Sequence, residues 1–182
     1  IAESIASGKI IGRCSGPMEF GARALGNRSI LADPASHEIV ERVNFTIKQR
    51  DFWMPFAPTV LKKYSSKYLK GTNKCDSPHM SITYKTTKLG SYMLKAALHE
   101  ADNTARAQIL NKDQNPEYHD LINEFADITG CGALLNTSFN LHGYPIVQNI
   151  SDAINVLDKS GLNGIILKDY IIMKKKIYDN FR

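Results

Sequence analysis

Asn115-Pro116 opens the clearest helix of this chain and Gly130 closes it. Tyr118, Leu121, Ile122, Phe125 and Ile128 fall on one face between them. The apolar run Ala133-Leu134-Leu135 follows at once and reads as a buried strand ending at Asn136. A helix with one apolar face, tied this closely to a buried strand, must pack against a sheet. The rest of the chain repeats the theme.

Ile1 to Gly8 reads as the last turns of a helix capped by Gly8, and Lys9 to Cys14 as a short strand. Ser29 to Ala32 is a second strand. Asp33-Pro34 then predicts an N-cap and first-turn proline for a helix carrying Ile39, Val43 and Ile47, with Val40 beside them. The prolines flanking Phe56-Ala57 exclude a helix and favour an extended segment running into a strand near Leu61. Lys62 to Leu69 predicts a short amphipathic helix closed by Gly71, and residues 71 to 80 a loop. Met80 to Lys85 alternates as a strand, Lys88 to Gly90 makes a turn, and Tyr92 to His99 fits strand or helix equally. Ala107 to Leu110 is a strand, and Ser151 predicts the cap of a helix over Ala153 to Lys159. Gly164 to Leu167 and Tyr170 to Met173 predict a hairpin across Lys168-Asp169. Strands and helices interleave without strict alternation. The expected fold class is α/β, a mixed twisted sheet with helices on its faces.

A length of 182 residues suits one domain with room for a real core, and nothing in the chain splits it. The chain opens without Met in what reads as a helix end, so the sequence is expected to be a piece of a longer protein. Three dispersed cysteines (Cys14, Cys75, Cys131) without a C-x-x-C speak for a reducing, cytoplasmic setting. The five histidines show no H-x-x-x-H spacing, and no protein-ligated metal is expected. There is no signal-peptide pattern and no apolar run of about 18 residues, so no membrane partner is expected. The net charge of +5 favours anionic partners without choosing between a nucleotide and a nucleic acid.

The polar motifs are more specific. Glu19 to Ser29 holds two glycines, Arg23, Arg28, Asn27 and an acid. Its arginines are planar forks suited to phosphate or carboxylate oxygens, or else solvated side chains on a turn. Lys48 and Arg50 stand where cations complement a helix C-terminus, or where they meet a polyanion. Thr104-Ala105-Arg106 adds another cation. Asn136-Thr137-Ser138-Phe139-Asn140 could form an anion-binding nest, or Asx and Ser/Thr turns that satisfy the loop itself. If Arg23, Arg28, Lys48, Arg50 and Arg106 converge, they supply five cations for one polyanion.

Glu19 to Leu31, Pro55-Phe56-Ala57-Pro58, Thr104-Ala105-Arg106 with Gln108, and Asn136 to Asn140 occur in order along the chain. Together they resemble the C-terminal domain of the NodU/CmcH-type O-carbamoyltransferases, whose members include nodulation-factor and tobramycin carbamoyltransferases. The resemblance implies a YrdC-like α/β fold for residues 1–182, joined in the family to an N-terminal actin-like domain that this sequence lacks. It implies that ATP and carbamoyl phosphate form carbamoyl adenylate with release of pyrophosphate. The carbamoyl group then passes to a small-molecule hydroxyl acceptor. Mg2+ or Mn2+ would ride on the triphosphate. By position Arg23, Lys48 and Arg106 match the catalytic residues, and Arg28, Arg50, Asn136, Thr137, Ser138 and Asn140 the substrate- and nucleotide-binding ones.

Two positions depart from the family pattern. Met54 stands where many members carry Arg, and Asn103 where Gly is usual. An alternative is a non-catalytic nucleotide- or RNA-binding module of the same fold, and a third is a threonylcarbamoyl-adenylate synthase. Against nucleic acid, the cations sit in discrete Gly- and Ser-bearing motifs rather than in one long basic stripe. A homodimer is compatible with all three.

Overall fold

A computed structural model describes residues 1–49 and 54–175. Nine strands follow one another as β1 (Ile11–Cys14), β2 (Arg28–Ala32), β3 (Ala57–Leu61), β4 (Tyr84–Lys85), β5 (Thr104–Ala105), β6 (Gln108–Leu110), β7 (Ala133–Ser138), β8 (Gly164–Leu167) and β9 (Tyr170–Met173). Seven of them form one sheet in the order β6-β3-β7-β2-β1-β8-β9, while β4 and β5 pair separately. The ladder is parallel at β3–β6 and β1–β8 and antiparallel elsewhere, so the sheet is mixed as expected.

Among the described residues six α-helices accompany it: α1 (Ala2–Ala6), α2 (His37–Val43), α3 (Lys62–Tyr68), α4 (Lys88–Met93), α5 (Pro116–Thr129) and α6 (Ile150–Lys159). Successive strand residues point to opposite faces. Leu31, Leu134 and Ile166 accordingly join the layer of α1, α3 and α5. Ile30, Leu135 and Ile165 join the layer of α2 and α6. The central strands are buried on both sides and read as near-continuous apolar runs for that reason.

The best-signalled elements form where their local chemistry puts them. Asn115 Oδ1 accepts from Tyr118 N at 3.2 Å, Pro116 takes the first turn, and Gly130 ends α5 at φ +76°. Ile128, assigned to its apolar face, is instead exposed at 50%. Helix α2 starts at His37, later than Asp33-Pro34 suggested. Asp33 Oδ1 accepts from Ala35 N at 2.8 Å, and that local turn delays the helix. Helix α6 is capped by Asn149, not Ser151, because Asn149 and Asp152 satisfy one another's backbone N–H groups in a capping box. Lys88 to Gly90 is the start of α4 rather than a turn, with Thr87 Oγ1 accepting from Gly90 N at 3.0 Å. The strand expected over Met80 to Lys85 shrinks to β4.

Most consequential is β7, which runs on to Ser138. Asn136 pairs with Leu31 on one side and Ala57 on the other, Thr137 with Ile30, and Ser138 with Ser29. The segment read as a nest or a set of turns is ladder through its first three residues. Strand β2 pairs with all three and β3 with Asn136, so the ladder takes up backbone groups that a nest would need.

Candidate anion-binding cleft

The C-terminal ends of β1 and β7 and the N-terminal ends of β2 and β3 meet at one end of the sheet. The loop from Ser15 to Asn27 lies over that end. It is organised around the carboxylate of Glu19, whose Oε1 accepts from the backbone N–H of Leu25 (2.8 Å), Asn27 (2.6 Å) and Arg28 (3.3 Å). Gly26 sits at φ +124° against the ring of Tyr118, where a Cβ would come within 2.3 Å of Cδ1. From below, buried Arg13 donates to Gly26 O (2.9 Å), Asn27 Oδ1 (3.0 Å) and Glu117 Oε2 (2.8 Å). Burial pushes the Arg13 guanidinium down, and the Glu117 carboxylate works against that shift. Glu19 and Arg13 thus hold the loop, and Arg23 at its outer turn is left exposed.

Arg23 faces a small cleft of about 60 Å³ whose other walls include Met80, Arg106, Asn136, Thr137 and Ser138. Among the described residues no Asp or Glu lines it. Arg106 is held below the ordinary guanidinium range, first by burial and then by the like charge of Arg23. Its Nη1 is buried without a hydrogen-bond partner, and so is Oδ1 of Asn136. The Asn136 amide is oriented from its other end. Nδ2 donates to Ala24 O (3.2 Å), Thr59 Oγ1 (3.0 Å) and Gln108 Oε1 (3.4 Å). Gln108 in turn accepts from Thr59 Oγ1 at 2.8 Å and donates to Leu25 O at 3.1 Å, tying β3, β6, β7 and the loop into one frame. Two cations and a fixed amide therefore share a cleft with one unpaired donor and one unpaired acceptor. Leaving either unpaired and buried costs about 1–3 kcal/mol, which a ligand with complementary groups returns.

The other expected cations go elsewhere. Lys48 ends a π-helical turn, Asn44–Lys48, that follows α2. It is buried, and its ammonium donates to Ser138 O (2.5 Å), Ser138 Oγ (3.1 Å), Asn140 O (3.1 Å) and Asn140 Oδ1 (2.6 Å). Asn140 Nδ2 donates to Leu141 O and Tyr144 O, so this side chain is spent on the loop itself. Lys48 and Asn140 brace the wall behind Ser138. Arg28 leaves the cleft altogether: its guanidinium donates to the carbonyls of Ser15, Gly16, Asn27 and Gln148, beside an apolar groove next to β9. Five cations do not converge among the described residues; Arg23 and Arg106 do, and Arg50 lies outside those residues. Arg13, Thr59 and Glu117 are supports that the sequence reading missed. An arginine inside the apolar run Ile11-Gly12-Arg13-Cys14 was the available signal.

Among the described residues no three of His, Cys, Asp and Glu are grouped to hold a metal ion, and no helix is long and apolar enough to cross a membrane.

The fold is thus a mixed α/β sheet that carries at one end a cationic cleft with no acid among its described lining residues, chemistry suited to a small anion. The chain belongs to the carbamoyltransferase C-terminus family, whose model matches residues 2–174. It is 40% identical over 177 residues to nodulation protein NolO of Bradyrhizobium diazoefficiens, covering 96% of this chain and 32% of NolO. It is 30% identical over 169 residues to the 3'-hydroxymethylcephem-O-carbamoyltransferase of Streptomyces clavuligerus, covering 93% of this chain and 31% of that enzyme. The chain spans about a quarter to a third of the length of the curated relatives it matches. Among solved structures it resembles full-length HypF in its phosphate- and nucleotide-bound form (TM-score 0.62, 17% identity, 92% of this chain and 24% of HypF). It also resembles YciO of E. coli (TM-score 0.61, 16% identity, 96% of this chain and 85% of YciO). These two share its fold, and the YrdC-like class expected from the resemblance holds.

Proposed function

We propose that this domain holds carbamoyl phosphate between Arg23, Arg106 and Asn136 and joins its carbamate portion to ATP as carbamoyl adenylate. The observation that carries the reading is the unpaired Arg106 Nη1 and Asn136 Oδ1 in one cleft with no acid among its described lining residues. A bare triphosphate needs donors alone, whereas a carbamoyl group also brings N–H donors that require an acceptor. A relative named as an O-carbamoyltransferase and a neighbour of the same fold solved with phosphate and nucleotide support it.

In the proposed sequence, water cleaves carbamoyl phosphate to carbamate and phosphate. A carbamate oxygen then attacks the α-phosphorus of ATP, the bond from that phosphorus to the bridging oxygen breaks, and pyrophosphate leaves. Arg23 and Arg106 neutralise the growing charge, and Asn136 fixes the carbamate by its N–H. Lys48 keeps the end of β7 in place. A divalent ion would be carried by the triphosphate oxygens, because the residues lining the cleft supply no carboxylate. The cleft is too small for a nucleoside as well, and a hollow of about 300 Å³ beside the same loop, lined by residues that include Glu19, Phe20, Leu25, His79 and Gln108, offers room for one. The additional length of the relatives leaves room for the separate N-terminal domain implied by the resemblance, which would complete transfer to a small-molecule hydroxyl.

Calorimetry with carbamoyl phosphate and with acetyl phosphate, which replaces the amide by a methyl group, tests the cleft in this chain. Carbamoyl phosphate is expected to bind at least tenfold more tightly. Arg106→Ala should weaken both ligands by about tenfold or more, as expected for a charge-assisted bond of ~1.5–3 kcal/mol. Asn136→Leu should abolish the preference while leaving phosphate binding intact. Equal binding of the two ligands by the unaltered chain would sink the reading. Pyrophosphate release from ATP that requires carbamoyl phosphate tests the chemical step.

A further inference from the structure

The two edges of the seven-stranded sheet are treated differently. Strand β6 is buried, and the chain at Ser77 covers it, with Ile109 N donating to Ser77 O at 2.9 Å. Strand β9, at the other edge, has exposed Tyr170 (75%), Ile171 (46%) and Ile172 (38%), and Ile150 (56%) of α6 stands beside it. A groove of about 540 Å³, lined chiefly by apolar atoms, runs between them.

The sequence of β9 is that of an interior strand. A solvated antiparallel edge alternates apolar and polar residues, but Tyr170-Ile171-Ile172-Met173 is apolar on both faces. It contains no proline, no glycine and no charge, the usual means of blocking further strand pairing. Charges stand only at its ends, Asp169 before it and Lys174 and Lys175 after it.

We propose that β9 pairs antiparallel with β9 of a second copy of this chain, about a two-fold axis through Ile172, to give one continuous sheet. Hydrogen-bond parity requires the axis to pass through a residue, and charge selects Ile172. Lys174 N donates to Asn163 O at 2.9 Å, so Lys174, Ile172 and Tyr170 bond inward to β8. Ile171 and Met173 then turn their backbone N–H and C=O groups outward. With the axis on Ile172, Ile171 lies opposite Met173 of the partner subunit, and every outward group of one strand meets its complement. The same register sets Asp169 opposite Lys175 of the partner subunit at both ends of the ladder. Cross-strand opposite charges are favourable, and the symmetry makes the pair occur twice. Moving the axis to Ile171 keeps that parity but sets Lys168 opposite Lys174 of the partner subunit, and moving it to Met173 takes Asp169 away from Lys175. The pairing covers the apolar side chains of β9 and involves no residue of the anion cleft.

Sedimentation of the chain over a dilution series is expected to show a dimer that dissociates at low concentration. In a Cys75→Ser background, Ile172→Cys places two thiols across the axis at a non-hydrogen-bonded pair, where the Cα separation of about 4.5 Å permits a disulfide. Mild oxidation should cross-link this variant, and should not cross-link a Leu89→Cys control on the distant, exposed face of α4. Asp169→Lys should weaken the dimer about tenfold, and adding Lys175→Asp should restore it. A monomer at every concentration, or a cross-link no more frequent than in the control, overturns the proposal and leaves the edge to another chain. A dimer indifferent to Asp169→Lys overturns it as well.

Discussion

Glu19 is the residue on which the cleft depends most, although it does not line the cleft itself. One carboxylate oxygen gathers three N–H groups of the loop that carries Arg23. Charge-assisted bonds of this kind are individually worth ~1.5–3 kcal/mol, reduced here because Glu19 is half-buried. Glu19→Ala is expected to lower stability by about 2 kcal/mol in urea unfolding and to speed hydrogen exchange at Leu25 and Asn27, with Glu19→Gln between it and the native chain. No change in exchange at those amides would show that the loop is held by something else. The residue types needed for this were visible in the sequence: an acid, glycines and arginines close together. Which cation faces a ligand was not visible. Arg28 and Lys48 have the same chemistry as Arg23, but each is consumed by backbone carbonyls that approach from residues far along the chain.

At the scale of elements, the loop is pressed against α5 through Gly26 and Tyr118. Gly26→Ala combines a left-handed φ of +124° with a Cβ driven into the Tyr118 ring, and is expected to cost about 3 kcal/mol. Gly21 has nearly the same φ, +126°, but open space around it, so Gly21→Ala should cost only about 1 kcal/mol. Thermal unfolding of the two variants side by side checks this, and equal losses would rule out the Tyr118 contact as the cause. Helix α5 was legible because Asn115, Pro116 and Gly130 act on their own neighbours. The end of β7 was not, because Asn136 to Ser138 become strand only when β2 pairs with all three and β3 with Asn136. Local signals compete where two caps are close together, and that is how α2 and α6 came to start at residues other than those first expected.

For the whole molecule, burial between sheet and helices sets the response to alkaline pH. The Cys131 thiol and the Tyr68 hydroxyl are both pushed up to about 12, mainly by burial. Each keeps its proton in the folded state at a pH where the unfolded chain has begun to lose it. The folded state therefore binds more protons, and stability falls as pH rises from about 9 towards 12. Urea midpoints over that range should decline, and Cys131→Ala should make the decline shallower. A flat profile would mean that neither group is sequestered. In native protein only exposed Cys75 should react with a thiol reagent, while Cys14 and Cys131 react on unfolding. The sequence by itself determined the α/β class, the best-capped helix, the β8–β9 hairpin and the family, because periodicity, caps and motif residues are properties of near neighbours. Only the tertiary structure decided that Arg23 and Arg106 meet at Asn136 while Arg28 and Lys48 are spent elsewhere. It also decided that an apolar strand lies at an edge left unpaired among the described residues. Those outcomes depend on which distant segments come into contact, and a side chain's partners across the sheet leave no periodic trace along the chain.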